Sequence, residues 1–485
     1  MQLRDLLPPL PITFPNVAVS GIKLDSRQVA NGDLFVAVPG YVTDGRDYIN
    51  TAIAAGARAI LAEGSSLRYE ENGGAVCVFM PGVKEQLSEI AGRFFNHPSR
   101  HATLIGVTGT NGKTSVTHLA AQLAEKLGYT AAVIGTTGSG LIGQLLPEKH
   151  TTPDAVTVQQ RLSTLVAEGA DFIAMEVSSH ALVQRRVEAL RFDTAVATNI
   201  SRDHLDYHGS MAHYVDAKRR LFEDFELNHR VINLDDRYLR DWLEGASNGL
   251  SISLQGHSRA NIQVSDLAFA EHGTTFTLAY EGREAQFSTP LLGRFNVYNV
   301  VSAVAIMLAQ KQSLTAIAQH CRHLSPVPGR MEAFQAGSSP LVVVDYAHTP
   351  DALQQVLQAL RLHCKGKLWC VFGCGGDRDR GKRPQMGQVA AEFADRVVVT
   401  DDNPRTEAPQ QIIADIMAGI ADKRKVHSME GRRQAVLDTI ERAAPDDVVL
   451  LAGKGHEDYQ VIGHERIDYN ERQIVQDWIS GVNND

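Results

Sequence analysis

Residues 104–117 read LIGVTGTNGKTSVT: an apolar run, a Gly-rich turn, then Lys-Thr at the head of an amphipathic stretch. A strand that runs through such a turn into a helix surrounds an anion with backbone N–H groups. A lysine after the turn adds positive charge, and the next hydroxyl can ligate the Mg²⁺ that travels with a nucleotide. Lys113 and Thr114 hold those two positions. Residues 102–107 supply the strand. Val116, Leu119, Ala120, Leu123 and Leu127 recur at helical spacing, and Gly128 can end the helix in the left-handed conformation. The spacing departs from GxxxxGK[ST]: Val107 stands where the first glycine belongs, and the glycines are Gly106, Gly109 and Gly112.

Outward from this loop, residues 172–177 run into Ser178-Ser179-His180, and residues 194–198 run into Asn199-Ile200-Ser201-Arg202-Asp203-His204. Strands alternating with helices imply a parallel sheet covered on both faces, with ligands beyond the C-terminal strand ends. Glu176, Asp203 and His204 are therefore expected on one rim with Lys113. Residues 252–287 switch to short alternating strands, an antiparallel excursion. Four apolar strands follow, at 341–344, 368–372, 397–399 and 448–452, each ending in a charged or Gly-rich loop. Gly373, Gly375 and Gly376 lack the GxGxxG spacing, so no nicotinamide site is expected. Residues 95–99 and 326–330 read as linkers, the first because Pro98 biases its neighbour away from helix. The expected organisation is α/β with three domains, at 1–97, 98–326 and 327–485.

Composition narrows the partners. The 485 residues carry a net charge of −9 and only 6% aromatics, which gives neither a basic footprint nor a stacking platform for nucleic acid. No apolar run approaches the roughly 18–20 residues that span a bilayer. Asp5, Pro8, Pro9 and Pro11 interrupt the N-terminal stretch where a secretory signal has its apolar core. Small-molecule substrates, no membrane and a cytoplasmic location are expected. The five cysteines are odd in number and form no CxxC pair, so neither a disulfide framework nor a zinc site is indicated.

Several loop residues suit particular chemistry. Glu176 and His204 suit Mg²⁺ bridging a phosphate and an acceptor oxygen. Lys218, among positive neighbours on a helix, reads by itself as a solvated surface lysine. Arg378 and Arg405 offer planar forks for carboxylates, while Asp402 and Glu457 can hold an ammonium, together a pocket for a zwitterionic amino acid.

The motifs GVTGTNGKT, MEVSSH, NISRDHLDYHG, YVDAKRRLF, GRFNVYN, PGRME, VDYAHTPD, FGCGGDRDRGKRP, TDDNPRTE and AGKGHEDYQ follow one another along the whole chain. They resemble the Mur ligase family. The resemblance implies an N-terminal UDP-binding α/β domain, a central P-loop ATPase domain with a parallel sheet, and a C-terminal Rossmann-like domain. It further implies an ATP-dependent amide ligase of cytoplasmic peptidoglycan precursor synthesis, adding meso-2,6-diaminopimelate to the D-glutamate of UDP-N-acetylmuramoyl-L-alanyl-D-glutamate through an acyl phosphate. ATP is then a co-substrate, Mg²⁺ the metal, and a monomer is expected.

By the same resemblance, Lys113, Glu176, His204 and a carbamylated Lys218 are catalytic. ATP is held by Gly109, Thr110, Asn111, Gly112, Lys113, Thr114, Ser115, Asn296, Asn299, Arg330, Asp345 and His348. Thr114, Glu176, His204 and the Lys218 carbamate serve Mg²⁺. Leu24, Ser26, Tyr41, Val42, Thr43, His150, Thr151, Thr152, Ser178, Gln184 and Arg186 match contacts to the UDP-dipeptide. Arg378, Asp402, Asn403, Pro404, Arg405, Gly453 and Glu457 match the diaminopimelate pocket. The competing readings are a lysine-adding relative, a folylpolyglutamate-synthase-like ligase, and a protein that hydrolyses ATP slowly as a conformational switch.

Overall fold

The computed structural model describes residues 1–7, 10–40 and 43–481. Its first sheet comprises β1 (Ile22–Lys23), β2 (Leu34–Ala37), β3 (Ala59–Glu63), β4 (Arg68–Asn72) and β5 (Ala75–Met80), in the order β1-β2-β3-β5-β4. Leu34, Phe35, Val36 and Ala37 are all buried, the continuous apolar run expected of a parallel strand covered on both faces. β4 pairs antiparallel at the edge and is exposed throughout, its charged RYEEN sequence discouraging further pairing.

The second sheet has β6 (Thr103–Thr108), β7 (Ala131–Gly135), β8 (Gly138–Leu141), β9 (Phe172–Glu176), β10 (Thr194–Ala197), β11 (His229–Asn233) and β12 (Gly249–Ser253). They run β12-β11-β10-β6-β9-β7-β8, all parallel except β8. β6 lies between β9 and β10, where the strand order reverses. The loops leaving these three strands therefore open onto one crevice at the sheet's C-terminal edge. The helix after β6, Lys113–Lys126, buries Val116, Leu119, Ala120 and Leu123 and ends at Gly128 with φ 96°, as its spacing predicts.

The expected antiparallel excursion is a meander of β13 (Ile262–Ala270), β14 (Gly273–Tyr280) and β15 (Arg283–Thr289). The last large sheet is built from β16 (Glu332–Phe334), β17 (Leu341–Asp345), β18 (Leu368–Phe372), β19 (Arg396–Val399), β20 (Val426–Ser428) and β21 (Val448–Ala452), in the order β16-β17-β21-β18-β19-β20. Only the edge strand β16 is antiparallel. Separate apolar clusters cover its two faces, one around Val343, Leu450 and Met386, the other around Val344, Leu451 and Val436. A hairpin of β22 (Tyr459–Ile462) and β23 (Glu465–Asp468) follows.

The fold is α/β, as the alternation of strands and helices predicts. By packing, the chain divides into two compact units, residues 1–252 with 305–311 and residues 253–304 with 312–485. The stretch read as the first linker has regular geometry. Asn96 and His97 take left-handed backbone angles (φ 59° and 46°), and Pro98–Arg100 forms a 3-10 turn. Among the described residues no helix is long and apolar enough to cross a membrane.

Candidate functional site

The phosphate-type loop is held in shape from β10. Asn199 accepts the Thr110 N–H on its carbonyl (2.7 Å) and the Asn111 N–H on its side chain (3.0 Å), while its own amide and the Thr198 hydroxyl donate to the Asn111 carbonyl (3.0 and 2.6 Å). The Thr110 hydroxyl lies 3.1 Å from the Tyr214 hydroxyl. Gly109 makes this packing possible. Its φ is 143°, and a Cβ there would lie 2.0 Å from the Thr198 hydroxyl. Thr198, Asn199 and Tyr214 were not expected in the site. Asn199 sits in a quoted motif, but its pairing with Asn111 spans 88 residues.

At the first turn of the following helix the Thr114 hydroxyl donates to Glu176 Oε1 at 2.9 Å. The same oxygen accepts the Thr136 N–H (2.7 Å), and the carboxylate is buried. A hydroxyl and a buried carboxylate side by side at a phosphate loop fit Mg²⁺, which takes one or two protein oxygens and fills its octahedron with phosphates and water. An imidazole and an ammonium do not complete such a set: among the described residues no three His, Cys, Asp or Glu side chains form a metal cluster. Lys218 fits only as an anion.

Lys218 is buried on the helix Met211–Glu223, 4.7 Å from the centre of the Tyr214 ring. Its ammonium donates to the Gly109 carbonyl (2.7 Å), and so does that of Lys113 (3.0 Å). Burial and then the charge of Lys113 pull the Lys218 amine well below its ordinary pKa, with Asp203 opposing. The reading of Lys218 as a solvated lysine is therefore replaced by a buried one, because the helix turns this residue inward with Tyr214, Ala217 and Leu221.

His204 stands in a left-handed turn (φ 51°) with its ring 4.9 Å from His180, which also packs on Tyr207 at 4.2 Å. Burial lowers His180 to about 4, keeping it neutral at physiological pH. Beyond β9 the Thr152 hydroxyl donates to the Glu176 carbonyl (2.8 Å) and accepts the Ser178 N–H (3.0 Å). Arg186 donates to the Thr152 carbonyl (2.7 Å) and to the Gln184 side chain (2.6 Å). Thr151, Thr152, Ser178, Gln184 and Arg186 thus form one polar shelf beside Glu176, with Thr151 joined through Thr136 (3.0 Å). His150 is exposed. Ser26 is buried at the start of a 3-10 turn capped by Asp25, Leu24 is half-buried, and Thr43 is exposed. Tyr41 and Val42 lie outside the described residues.

In the second unit, Asn296 and Asn299 share a hydrogen bond (3.0 Å) on one helix. Buried Asp345 accepts the Met331 and Ala347 N–H groups (2.8 Å each). Arg330 lies over the Tyr346 ring, and His348 contacts the Tyr346 carbonyl (2.8 Å). Burial raises Asp345, with Arg330 pulling the other way.

Arg405 is left-handed (φ 51°). Its N–H donates to Val461 O (3.0 Å), its carbonyl accepts from Gly463 N (2.8 Å), and its guanidinium reaches the Gly376 carbonyl (2.8 Å). That carbonyl's loop is braced by fully buried Arg383, which pairs with Glu407 and Asp415 (2.8 Å each). Glu407 also accepts the Asp377 N–H. Arg378 is exposed on the same loop. Pro404 packs so closely on Gly376 that a Cβ there would meet its carbonyl at 1.8 Å. The expected acid pair has an internal cation. Lys454, absent from the expected set, lies 2.8 Å from Glu457 and 3.7 Å from Asp402, and donates to Asn403 (3.1 Å). Gly453 precedes it with φ 110°, 3.0 Å from Asp402 at a notional Cβ.

A phosphate loop at the switch point of a parallel sheet, with a buried carboxylate on its helix, belongs to nucleotide-using α/β enzymes. Three family models match this chain: "Mur ligase family, catalytic domain" over residues 18–94, "Mur ligase middle domain" over 107–307, and "Mur ligase, glutamate ligase domain" over 329–455. The chain belongs to the Mur ligase family and is an ATP-dependent amide ligase. It is similar to a solved UDP-N-acetylmuramoyl-L-alanyl-D-glutamate–2,6-diaminopimelate ligase, at 38% identity over 100% of both chains with a TM-score of 0.75. The MurF ligase of Thermotoga maritima, solved with ADP, shares the fold at 18% identity (96% and 98% coverage, TM-score 0.65). So does the folylpolyglutamate synthase of Mycobacterium tuberculosis, also solved with ADP, at 19% identity (76% and 91% coverage, TM-score 0.59).

Proposed function

We propose that this enzyme joins meso-2,6-diaminopimelate to the D-glutamate of UDP-N-acetylmuramoyl-L-alanyl-D-glutamate, as a cytoplasmic monomer in peptidoglycan precursor synthesis. The full-length likeness to a ligase named for those substrates supports the reading. The observation that carries it within the chain is the loop pocket where Arg405 and the acids Asp402 and Glu457 are set in the loops after β19 and β21.

A carboxylate is a poor electrophile, and phosphorylation by ATP turns it into an acyl phosphate. An amine of diaminopimelate then attacks the acyl carbon, the C–N bond forms, phosphate departs and the amine loses its proton. In this account the loop at 109–115 with Lys113 cradles the triphosphate, and Asn296, Asn299, Arg330, Asp345 and His348 serve the adenosine. Thr114 and Glu176 would hold Mg²⁺ between them, with His204 and the carbamate of Lys218 as further ligands, and the metal would supply charge neutralisation on the phosphates. Lys218 acts as a carbamate: its uncharged amine adds to CO₂ and releases a proton, which replaces a buried cation by anionic oxygens. The shelf of Thr151, Thr152, Ser178, Gln184 and Arg186 receives the muramoyl dipeptide, with His150 at its edge. Leu24, Ser26 and residues 41–43 receive the uridine nucleotide. Arg378, residues 402–405, Gly453 and Glu457 receive the amino acid.

Phosphate release from ATP tests this directly. It is expected only when the UDP-dipeptide and diaminopimelate are both present; release indifferent to either would mean a nucleotide switch rather than a ligase.

A further inference from the structure

We infer that Lys454 is a positioning residue for amino-acid selection: it leaves the pocket of Asp402 and Glu457 with one net negative charge and fixes which oxygen of Glu457 meets an incoming ammonium. The inference rests on the proposed placement of the amino acid in this pocket and goes beyond it.

The side chain of Lys454 is fully buried, where an ammonium persists only if it is paired and hydrogen-bonded. Its partners are all members of the pocket. It donates to Glu457 Oε2 (2.8 Å) and to Asn403 Oδ1 (3.1 Å), and it lies 3.7 Å from Asp402 Oδ1 and 5.2 Å from the centre of the Tyr459 ring. Asn403 in turn donates to the same Glu457 Oε2 at 3.1 Å. That oxygen is thus committed twice within the chain. Among the described residues, Glu457 Oε1 has only a long contact, 3.5 Å, from the Tyr346 hydroxyl, and so keeps acceptor capacity. The nearby guanidinium of Arg432 is neutralised by Glu471 in a fully buried pair (2.7 Å), and contributes no net charge. Burial raises the pKa of Asp402, with Arg432 and Lys454 pulling the other way; with Asp402 ionised, two carboxylates and one ammonium carry a single negative charge, which complements one ammonium. Without Lys454 the acids would present two charges and an unfixed carboxylate; with Lys454 but only one acid, the pocket would be neutral.

This charge balance makes a prediction that a purely structural role does not. Lys454→Met alone and Asp402→Asn alone are each expected to raise the KM for diaminopimelate at least about tenfold, since the first leaves the two acids without their shared cation and the second leaves the pocket neutral toward an ammonium. The KM for ATP should stay within about twofold, as is expected of sites that share no partners. The double variant restores a single negative charge and should have a lower KM for diaminopimelate than either single variant. A KM in the double variant equal to the product of the two separate losses, or an unchanged KM in Lys454→Met, would overturn the inference. If Lys454→Met does not fold, the double variant is compared with Asp402→Asn: a lower KM supports the charge balance, an equal or higher one overturns it. Arg405→Ala measured alongside separates the two layers. A raised KM there with Lys454→Met unchanged refutes the role of Lys454 alone. No effect in either refutes the placement of the amino acid in this pocket.

Discussion

On the proposed reading, substrate choice turns on Arg405. Diaminopimelate differs from lysine by a terminal carboxylate, and a guanidinium held by backbone contacts on both sides of its own residue can meet that carboxylate with two parallel bonds. Charged hydrogen bonds are worth about 1.5–3 kcal/mol each. Arg405→Ala is therefore expected to raise the KM for diaminopimelate by about 10- to 100-fold while leaving that for ATP unchanged, as steady-state kinetics will show. Behind it, the guanidinium of Arg383, aided by the Asp377 N–H, holds the Glu407 carboxyl at about 2 against an ordinary 4.5. A folded-state value below the unfolded one stabilises the fold at pH above 4.5, and that contribution is lost as pH falls toward 2. The difference in melting temperature between the wild type and Glu407→Gln should thus be full above that upper value and shrink below it. A difference that persists undiminished in acid would show that Glu407 acts by shape alone.

The strand-loop-helix unit from β6 to Lys126 shows how backbone and side chains divide the work. Gly109 takes a conformation in which a Cβ would strike Thr198, so Gly109→Ala must displace the loop that Thr198 and Asn199 hold. Its nucleotide affinity, measured by calorimetry with a non-hydrolysable ATP analogue, should fall by about tenfold or more while β6 and its helix stay folded. Retained affinity would mean that the loop's shape is not set by this contact. At this scale the sequence was highly informative. The phosphate-type loop, the strand ends bearing Glu176 and His204, and the charged loops after β17, β18, β19 and β21 follow from local spacing, because alternation of apolar runs and turn residues is a local property. What escaped is non-local. Lys454 meets Asn403 from 51 positions away, and the Asn199 clamp joins loops 88 positions apart. The left-handed backbone of Arg405 has no glycine to announce it. The burial of Lys218 escapes local reading for a related reason: its charged neighbours Arg219 and Arg220 suggest a surface, but the helix phase turns Lys218 inward.

For the whole molecule, the residues proposed for activation and for selection fall in different compact units: Lys113, Glu176 and Lys218 belong to one, Arg405, Lys454 and Glu457 to the other. On the proposed assignments, product formation is expected to depend on both sets of residues. The most direct test supplies purified enzyme with ATP, UDP-N-acetylmuramoyl-L-alanyl-D-glutamate and equal concentrations of diaminopimelate and lysine, and weighs the products by mass spectrometry. The account predicts a single adduct, carrying diaminopimelate, formed one for one with ADP. A lysine adduct of comparable yield, or ADP formed without any adduct, would contradict it.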